Sequence, residues 1–289
     1  MKRRAVKSQP FTDTTTAALP SNRPMFAIAA EDSNMELEMP AALCAGEFVP
    51  YYQPLMSSSG EIRGCEALMR WRRPDGTFVS PVDFIPAAER SGFIDDLGAF
   101  VLRAAVKQLR EFEDAGLQHL YMSVNVSPRQ LEHPEFESVL TQALQESGVA
   151  PGRLVLELTE GLSLGDSLHM QELLDRIAAT GVRIALDDYG TGYSSLGYLK
   201  SYPVSTVKID RSFIKGIGAD SVSGIIVRAI VDLSKALQLE IVAEGVETEI
   251  QAQLLHDMGV NYLQGFLYGK PMPADELVER YGPAALALN

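Results

Sequence analysis

LVLELTE, residues Leu154–Glu160, is a short apolar run with a carboxylate in its middle. Side chains along an extended strand alternate between two faces. Leu156 and Leu158 therefore share one face, and Glu157 and Thr159 the other. A charge on a buried face costs several kcal/mol unless it is paired or bound to a metal. Six more runs repeat the pattern: GCEALMRW (Gly64–Trp71), MSVNVS (Met122–Ser127), IALDDYGTGYSSL (Ile184–Leu196), TVKIDRSF (Thr206–Phe213), IVAEGVE (Ile241–Glu247) and YLQGFLYGKP (Tyr262–Pro271). Polar residues that recur at successive strand ends are what a polynuclear metal site needs.

Working outward, the runs fall among eight strand candidates: Phe48–Met56, Ile62–Trp71, Tyr121–Ser127, Leu154–Glu160, Arg183–Tyr189, Thr206–Phe213, Glu240–Val246 and Tyr262–Leu267. Helical patterns lie between most of them. Leu97, Val101, Ala105, Leu109 and Phe112 share one face, as do Leu168, Leu173, Leu174 and Ile177. Ile225, Ile226, Ala229, Ile230, Leu233 and Leu237 mark a third. Alternating β and α elements imply a mostly parallel sheet, and eight strands imply closure into a TIM-type (β/α)8 barrel. Only a few residues around Gly60 join the first two strands, which is a hairpin link, so the first strand is expected to run antiparallel. One face then collects Glu66, Leu68 and Arg70, Ser123 and Asn125, Glu157, Asp187, Lys208 and Asp210, and Glu244. The other is apolar, with Val124, Leu156, Ile184, Leu186, Val207, Ile209 and Ile241 under the helices. The polar face converges on the barrel axis at the strands' C-terminal ends, where barrel enzymes place their chemistry.

The 289 residues suit one such barrel, and 46% hydrophobic content supports an ordinary core. A net charge of −13 argues against DNA, RNA or anionic-membrane affinity. It leaves room for a small anionic ligand, because bound divalent ions reverse the local sign. Cys44 and Cys65 make no disulfide framework and fit a reducing, cytoplasmic location. No apolar stretch approaches the roughly 20 residues that span a bilayer. The polar, threonine-rich beginning reads as a disordered or weakly ordered segment over residues 1–42, ahead of one domain over residues 43–289. Past residue 47 there is neither a repeat nor a linker.

Glu66, Asn125, Glu157, Asp187, Asp188 and Glu244 form an all-oxygen ligand set. Such donors select Mg²⁺ or Mn²⁺, and Ca²⁺ where the cavity is larger. His119, His133, His169 and His256 lie away from these strand ends. Five crowded carboxylates call for more than one divalent ion, and adjacent Asp187 and Asp188 allow one carboxylate to bridge two. Two metals about 3.5–4 Å apart stabilise both oxygens of an in-line displacement at phosphorus. Lys208 and Arg70 suit the remaining phosphate charge. Glu160 and Glu247 each follow a proposed ligand by three residues and read as its supports. Gly190, Thr191 and Gly192 suggest a mobile loop.

In this order the motifs resemble the EAL-domain cyclic di-GMP phosphodiesterases, named for the motif that stands here as Glu66-Ala67-Leu68. The resemblance covers about residues 43–275, through YQPL (Tyr52–Leu55), SPVDFIPAAERSGFI (Ser80–Ile94), VNVSPRQ (Val124–Gln130), ELTE (Glu157–Glu160), DDYGTGYSSL, KIDRSF, AEGVE and QGFLYGKP. It implies a modified barrel with an antiparallel first strand, and cleavage of cyclic di-GMP to linear pGpG. By motif, Glu66, Asn125, Glu157 and Asp187 match ligands of a first metal, and Asp187 and Asp188 those of a second. Lys208 matches the lysine that positions the attacking water, and Glu244 a glutamate of the metal cluster or a general base. Glu160 matches the holder of the DDYGTGYSSL loop, while Glu247 and Gln264 match supporting residues. Gln53, Leu68, Arg70 and Asp210 match contacts to the dinucleotide. A homodimer is implied as well, and Ca²⁺ is expected to inhibit because its longer bonds misplace the ions. Tyr189 stands where phenylalanine is usual and Gly161 where serine is common; neither removes a ligand. Pro40 leaves open where a lead-in helix before the first strand begins. The alternative functions are a receptor that binds cyclic di-GMP without cleaving it, and a scaffold acting through protein contacts.

Overall fold

The computed structural model describes residues 25–159, 168–190, 196–218 and 221–283. Nine strands lie among them: β1 Phe48–Ser57, β2 Ile62–Arg72, β3 Phe78–Val79, β4 Tyr121–Asn125, β5 Leu154–Thr159, β6 Arg183–Tyr189, β7 Thr206–Ile209, β8 Glu240–Ala243 and β9 Tyr262–Gln264. Their order is β1-β9-β8-β7-β6-β5-β4-β2-β3, and β1 also pairs with β2, which closes an eight-stranded barrel with β3 as an outlying edge. β1 is antiparallel to both neighbours, as the hairpin link requires, and the other barrel pairs are parallel. The first two strands run one residue further than expected and β6 matches its expected bounds, whereas the strands expected at Tyr121–Ser127, Thr206–Phe213, Glu240–Val246 and Tyr262–Leu267 end two to four residues sooner. Glycines in the left-handed region explain one case: Gly245 at φ +68 ends β8 before Glu244. Asp210 explains another, since its carboxylate accepts from Ser212 N at 3.0 Å and starts a helix directly after β7.

The helices are α1 Met25–Cys44, α2 Pro81–Ser91, α3 Ile94–Asp114, α4 Pro128–Glu132, α5 Phe136–Ser147, α6 Leu168–Ala179, α7 Leu196–Ser201, α8 Arg211–Lys215, α9 Val222–Ala236, α10 Glu249–Met258 and α11 Ala274–Tyr281. α1 runs through Pro40 and seats Met39 and Ala42 against Phe48, Trp71 and Phe84. The α3 face is buried as its spacing predicts, through Leu97, Ala105, Leu109 and Phe112. Two expected faces need correction. Leu168 at the start of α6 is exposed, and Met170 is buried with Leu173, Leu174 and Ile177. In α9, Ile230 is buried as expected, but Ile225 and Leu237 are exposed, and the inward stripe is Gly224, Val227, Ile230, Val231 and Ser234. A Cβ on Gly224 would lie 2.0 Å from the Gly218 carbonyl oxygen, so the turn that leads into α9 requires glycine at that position.

At the N-terminal end of the strands the barrel is plugged by side chains that satisfy one another. Arg183 pairs with Glu240 at 3.0 Å and donates to the Gly152 carbonyl, with its guanidinium carbon 4.4 Å from the Tyr121 ring centroid. The Tyr262 hydroxyl donates to the other Glu240 oxygen at 3.0 Å. Gly64 leaves room for this plug, because a Cβ there would lie 2.9 Å from the Tyr121 ring.

Candidate active site

The opposite end gathers the polar residues singled out from the sequence. Register explains most of it: Glu66 sits opposite Gln53 across the hairpin, and Asn125 sits beside Glu157. Asp187 and Asp188 are consecutive, so a regular strand would point them to opposite faces. The strand is not regular there. Its register against β7 shifts between Leu186 and Tyr189, and Asp188 adopts φ +53. That irregularity brings both carboxylates to one side, where Asp187, Asp188 and Glu244 each offer an oxygen within 4.8 Å of the others'. Glu244 lies one residue past β8, held by its backbone N–H on the Ile209 carbonyl at 3.1 Å.

Lys208 is the centre of the arrangement. The residue is 1% exposed. The ammonium lies 2.5 Å from Glu244, 2.7 Å from Glu157, 3.1 Å from Asp187 and 3.7 Å from Glu66. Four carboxylates thus share one cation, and a low-dielectric interior does not tolerate that excess with all groups ionised. The titration responds accordingly. Burial pushes the Glu157 carboxyl well above its ordinary range, and the neighbouring Glu66 adds to this. Burial likewise pushes Glu244 up to about 8, with Lys208 opposing and Asp187 and Glu66 assisting. Asp188 is raised by burial, then by Asp187 and Asp210, and its carboxyl hydrogen-bonds that of Asp210. Burial alone would lower Lys208, but the surrounding carboxylates hold it well above its usual value.

Supporting contacts fix Glu66. Its Oε1 accepts from Asn125 Nδ2 at 2.6 Å and its Oε2 from Gln264 Nε2 at 2.7 Å. Gln264 also donates to Gln53 at 3.1 Å, and Gln53 donates to the Gly269 carbonyl at 3.1 Å. One Asp187 oxygen is buried and makes no hydrogen bond despite its nearness to Lys208. An all-oxygen donor set, an excess of carboxylates over one ammonium and a buried Asp187 oxygen without a hydrogen bond together fit hard divalent cations.

A cavity of about 720 Å³ opens above these groups, lined by Gln53, Glu66, Leu68, Asp187, Asp188, Asp210, Glu244, Glu247 and Gln264 among others. Arg70 is not in that cavity. It lines a second, mainly apolar cavity of about 310 Å³ with Phe84, Ile85, Ile94 and Leu97, and Leu68 borders both. Its guanidinium donates to the Met69 carbonyl and lies 5.9 Å from the Tyr51 ring centroid. Asn125 borders this second cavity as well. Glu160 lies outside the described residues, as do Thr191 and Gly192. The histidines are remote: His119 and His256 border a groove at the plugged end, His133 lies beside Asp95 on the outer surface, and His169 is exposed on α6. Sequence reasoning missed Arg211, Ser212 and Phe266, which also line the larger cavity. Their signal was position alone, directly after Asp210 and shortly after Gln264.

The family model described as the EAL domain matches residues 37–271. The chain belongs to the EAL family. The EAL domain here is 42% identical over 255 residues to the bifunctional diguanylate cyclase/cyclic di-GMP phosphodiesterase MucR of Pseudomonas aeruginosa, covering 88% of this chain and 37% of MucR. It is 38% identical over 253 residues to the cyclic di-GMP phosphodiesterase PdeR of Escherichia coli, covering 88% of this chain and 38% of PdeR. The chain therefore spans little more than a third of the length of these relatives. Among solved structures, the phosphodiesterase of PaMucR in complex with c-di-GMP superposes with a TM-score of 0.80 at 42% identity, over 84% of this chain and 99% of that one. Among the described residues no helix is long and apolar enough to cross a membrane.

Proposed function

We propose that this EAL domain hydrolyses cyclic di-GMP to linear pGpG. The observation that carries the reading is the buried group of four carboxylates around Lys208 at the mouth of an EAL barrel. Relatives named as cyclic di-GMP phosphodiesterases, and the similarity to a c-di-GMP complex, support the choice of substrate.

Glu66, Asn125, Glu157, Asp187, Asp188 and Glu244 would hold two Mg²⁺ or Mn²⁺ ions, which supply Lewis acidity at phosphorus and lower the pKa of water. The chain's own groups do the rest. Lys208 donates a hydrogen bond that fixes the attacking water in line with the scissile bond. Glu244, on the cluster's edge beside Lys208, accepts the proton the water loses. A new P–O bond forms from water, the bond to the 3′-oxygen breaks, and that oxygen leaves as a hydroxyl after taking a proton from solvent, while the proton on Glu244 is returned to solvent. Arg70 meets phosphate charge from the rim, while Gln53, Leu68 and Asp210 contact the dinucleotide. Gln264 and Glu247 support these groups, and Glu160 holds the loop that follows Asp188.

The active species is a homodimer. The domain start expected at residue 43 falls inside α1, whose Met39 and Ala42 pack against Phe48, Trp71 and Phe84, so the catalytic domain takes in the end of that helix, and the two free cysteines fit a cytoplasmic setting. Sedimentation velocity tests the dimer, and a truncation starting near residue 40 tests the boundary.

Metal-stripped protein is incubated with cyclic di-GMP and Mg²⁺, Mn²⁺ or Ca²⁺, and products are separated by chromatography beside a Glu66→Ala control. The expected result is pGpG with Mg²⁺ or Mn²⁺, little with Ca²⁺, and none from the variant. Tight binding without product in any metal overturns the hydrolase and favours the receptor.

A further inference from the structure

The larger cavity is lined by six carboxylates, Glu66, Asp187, Asp188, Asp210, Glu244 and Glu247, and by a single cation, Arg211. Arg211 is exposed, and among the described residues no carboxylate stands within ion-pair distance of its guanidinium. Its backbone is fixed from two sides. Asp210 caps the helix that Arg211 opens. Gly245, next to Glu244, packs so closely that a Cβ on it would lie 2.5 Å from Arg211 Cβ. The other cations near the mouth stand differently: Lys208 is buried at the scissile end among its carboxylates, Arg70 lies on the rim beside the neighbouring apolar cavity, and Lys270 lies over the Phe266 ring.

An uncommitted guanidinium beside a carboxylate cluster answers a charge that the cluster does not. Cyclic di-GMP carries two phosphodiesters, and a single cluster engages one of them. We infer that Arg211 binds the second, uncleaved phosphodiester of the dinucleotide; this rests on the hydrolase reading above. The planar fork of arginine matches two phosphate oxygens, which a lysine ammonium does not reproduce. Such a contact acts on selection of the cyclic dinucleotide and leaves the chemistry at the scissile phosphorus to Lys208 and the carboxylates.

The test compares Arg211→Ala and Arg211→Lys with wild type on two substrates in Mn²⁺: cyclic di-GMP, and bis(p-nitrophenyl) phosphate, which has one phosphodiester. Thermal melts confirm that both exposed-site variants are folded. The expected result is a rise of about tenfold in KM for cyclic di-GMP in the alanine variant. The ratio of kcat/KM between the two substrates falls by the same factor, and lysine restores only part of it. An unchanged ratio overturns the inference, whether both activities hold or both fall together. Wild type that cleaves the aryl diester but not cyclic di-GMP overturns the hydrolase reading itself, a distinct outcome.

Discussion

Both ends of this barrel bury charge, and they do it differently. At the plugged end, Glu240 has its two oxygens taken by Arg183 and Tyr262, and Arg183 also stacks on Tyr121. Charges there balance one to one. At the mouth, Glu66, Glu157, Asp187 and Glu244 share Lys208, and one Asp187 oxygen has no hydrogen bond at all. A balanced network secures a fold, whereas an unbalanced one stores affinity for whatever cation completes it. That contrast separates structural polarity from the site without reference to any relative.

Asp187 carries the largest expected effect. Asp187→Asn removes a carboxylate from the cluster and is expected to cost about a thousandfold or more in turnover of cyclic di-GMP, the equivalent of several kcal/mol of metal-derived stabilisation. Near-wild-type kcat in that variant would contradict the role given to the mouth. Gly265→Ala acts on the same end through the backbone. Its Cβ would lie 2.0 Å from the Val246 oxygen, between the segments carrying Glu244 and Gln264. Overpacking of this kind costs about 1–3 kcal/mol, so a lower Tm and a lower kcat are expected together.

Proton linkage sharpens the contrast. In the metal-free protein Glu244 is raised to about 8 and Glu157 is raised as well, both by burial first. A carboxyl raised in the folded state binds more protons folded than unfolded. Its contribution to stability is therefore full below its unfolded pKa and is lost as pH rises through its folded value. Metal-free protein is expected to melt at progressively lower temperature between about pH 5 and pH 8 on this account. Divalent ions must displace these protons, so Mn²⁺ affinity should strengthen over the same interval, with protons released on binding. Calorimetry in buffers of different ionisation enthalpy reads that release; a pH-independent affinity would contradict it.

The smallest effect on function is expected at the plugged end. Arg183→Ala leaves Glu240 with one partner and should lower stability by about 1–2 kcal/mol, seen as a shift in urea midpoint, with kcat/KM within about twofold of wild type. A collapse in activity with stability intact would show that the two ends are coupled.

Much of this was legible in the sequence, because period-two alternation is rigid. It put Glu66, Glu157 and Lys208 on the inner face, and the short link at Gly60 gave the antiparallel first strand. Departures from regular geometry were not legible. The left-handed residue at Asp188 and the shifted register beside it decide that consecutive aspartates point together, and alternation alone puts them apart. Asp210 reads as one more strand residue until its side chain is seen capping α8. The separation of Arg70 from the carboxylate cavity depends on how α2 and α3 pack beside β2, which spacing within one strand does not encode.

On the proposed function, divalent cations complete the charge excess at the mouth. Equilibrium Mn²⁺ binding to metal-stripped protein, followed by electron paramagnetic resonance of the free ion, tests it directly in wild type, Asp187→Asn and Arg183→Ala. Two ions bound by wild type and Arg183→Ala, with binding weakened or lost in Asp187→Asn, is the result expected. No saturable binding, or binding that Asp187→Asn leaves unchanged, would contradict it.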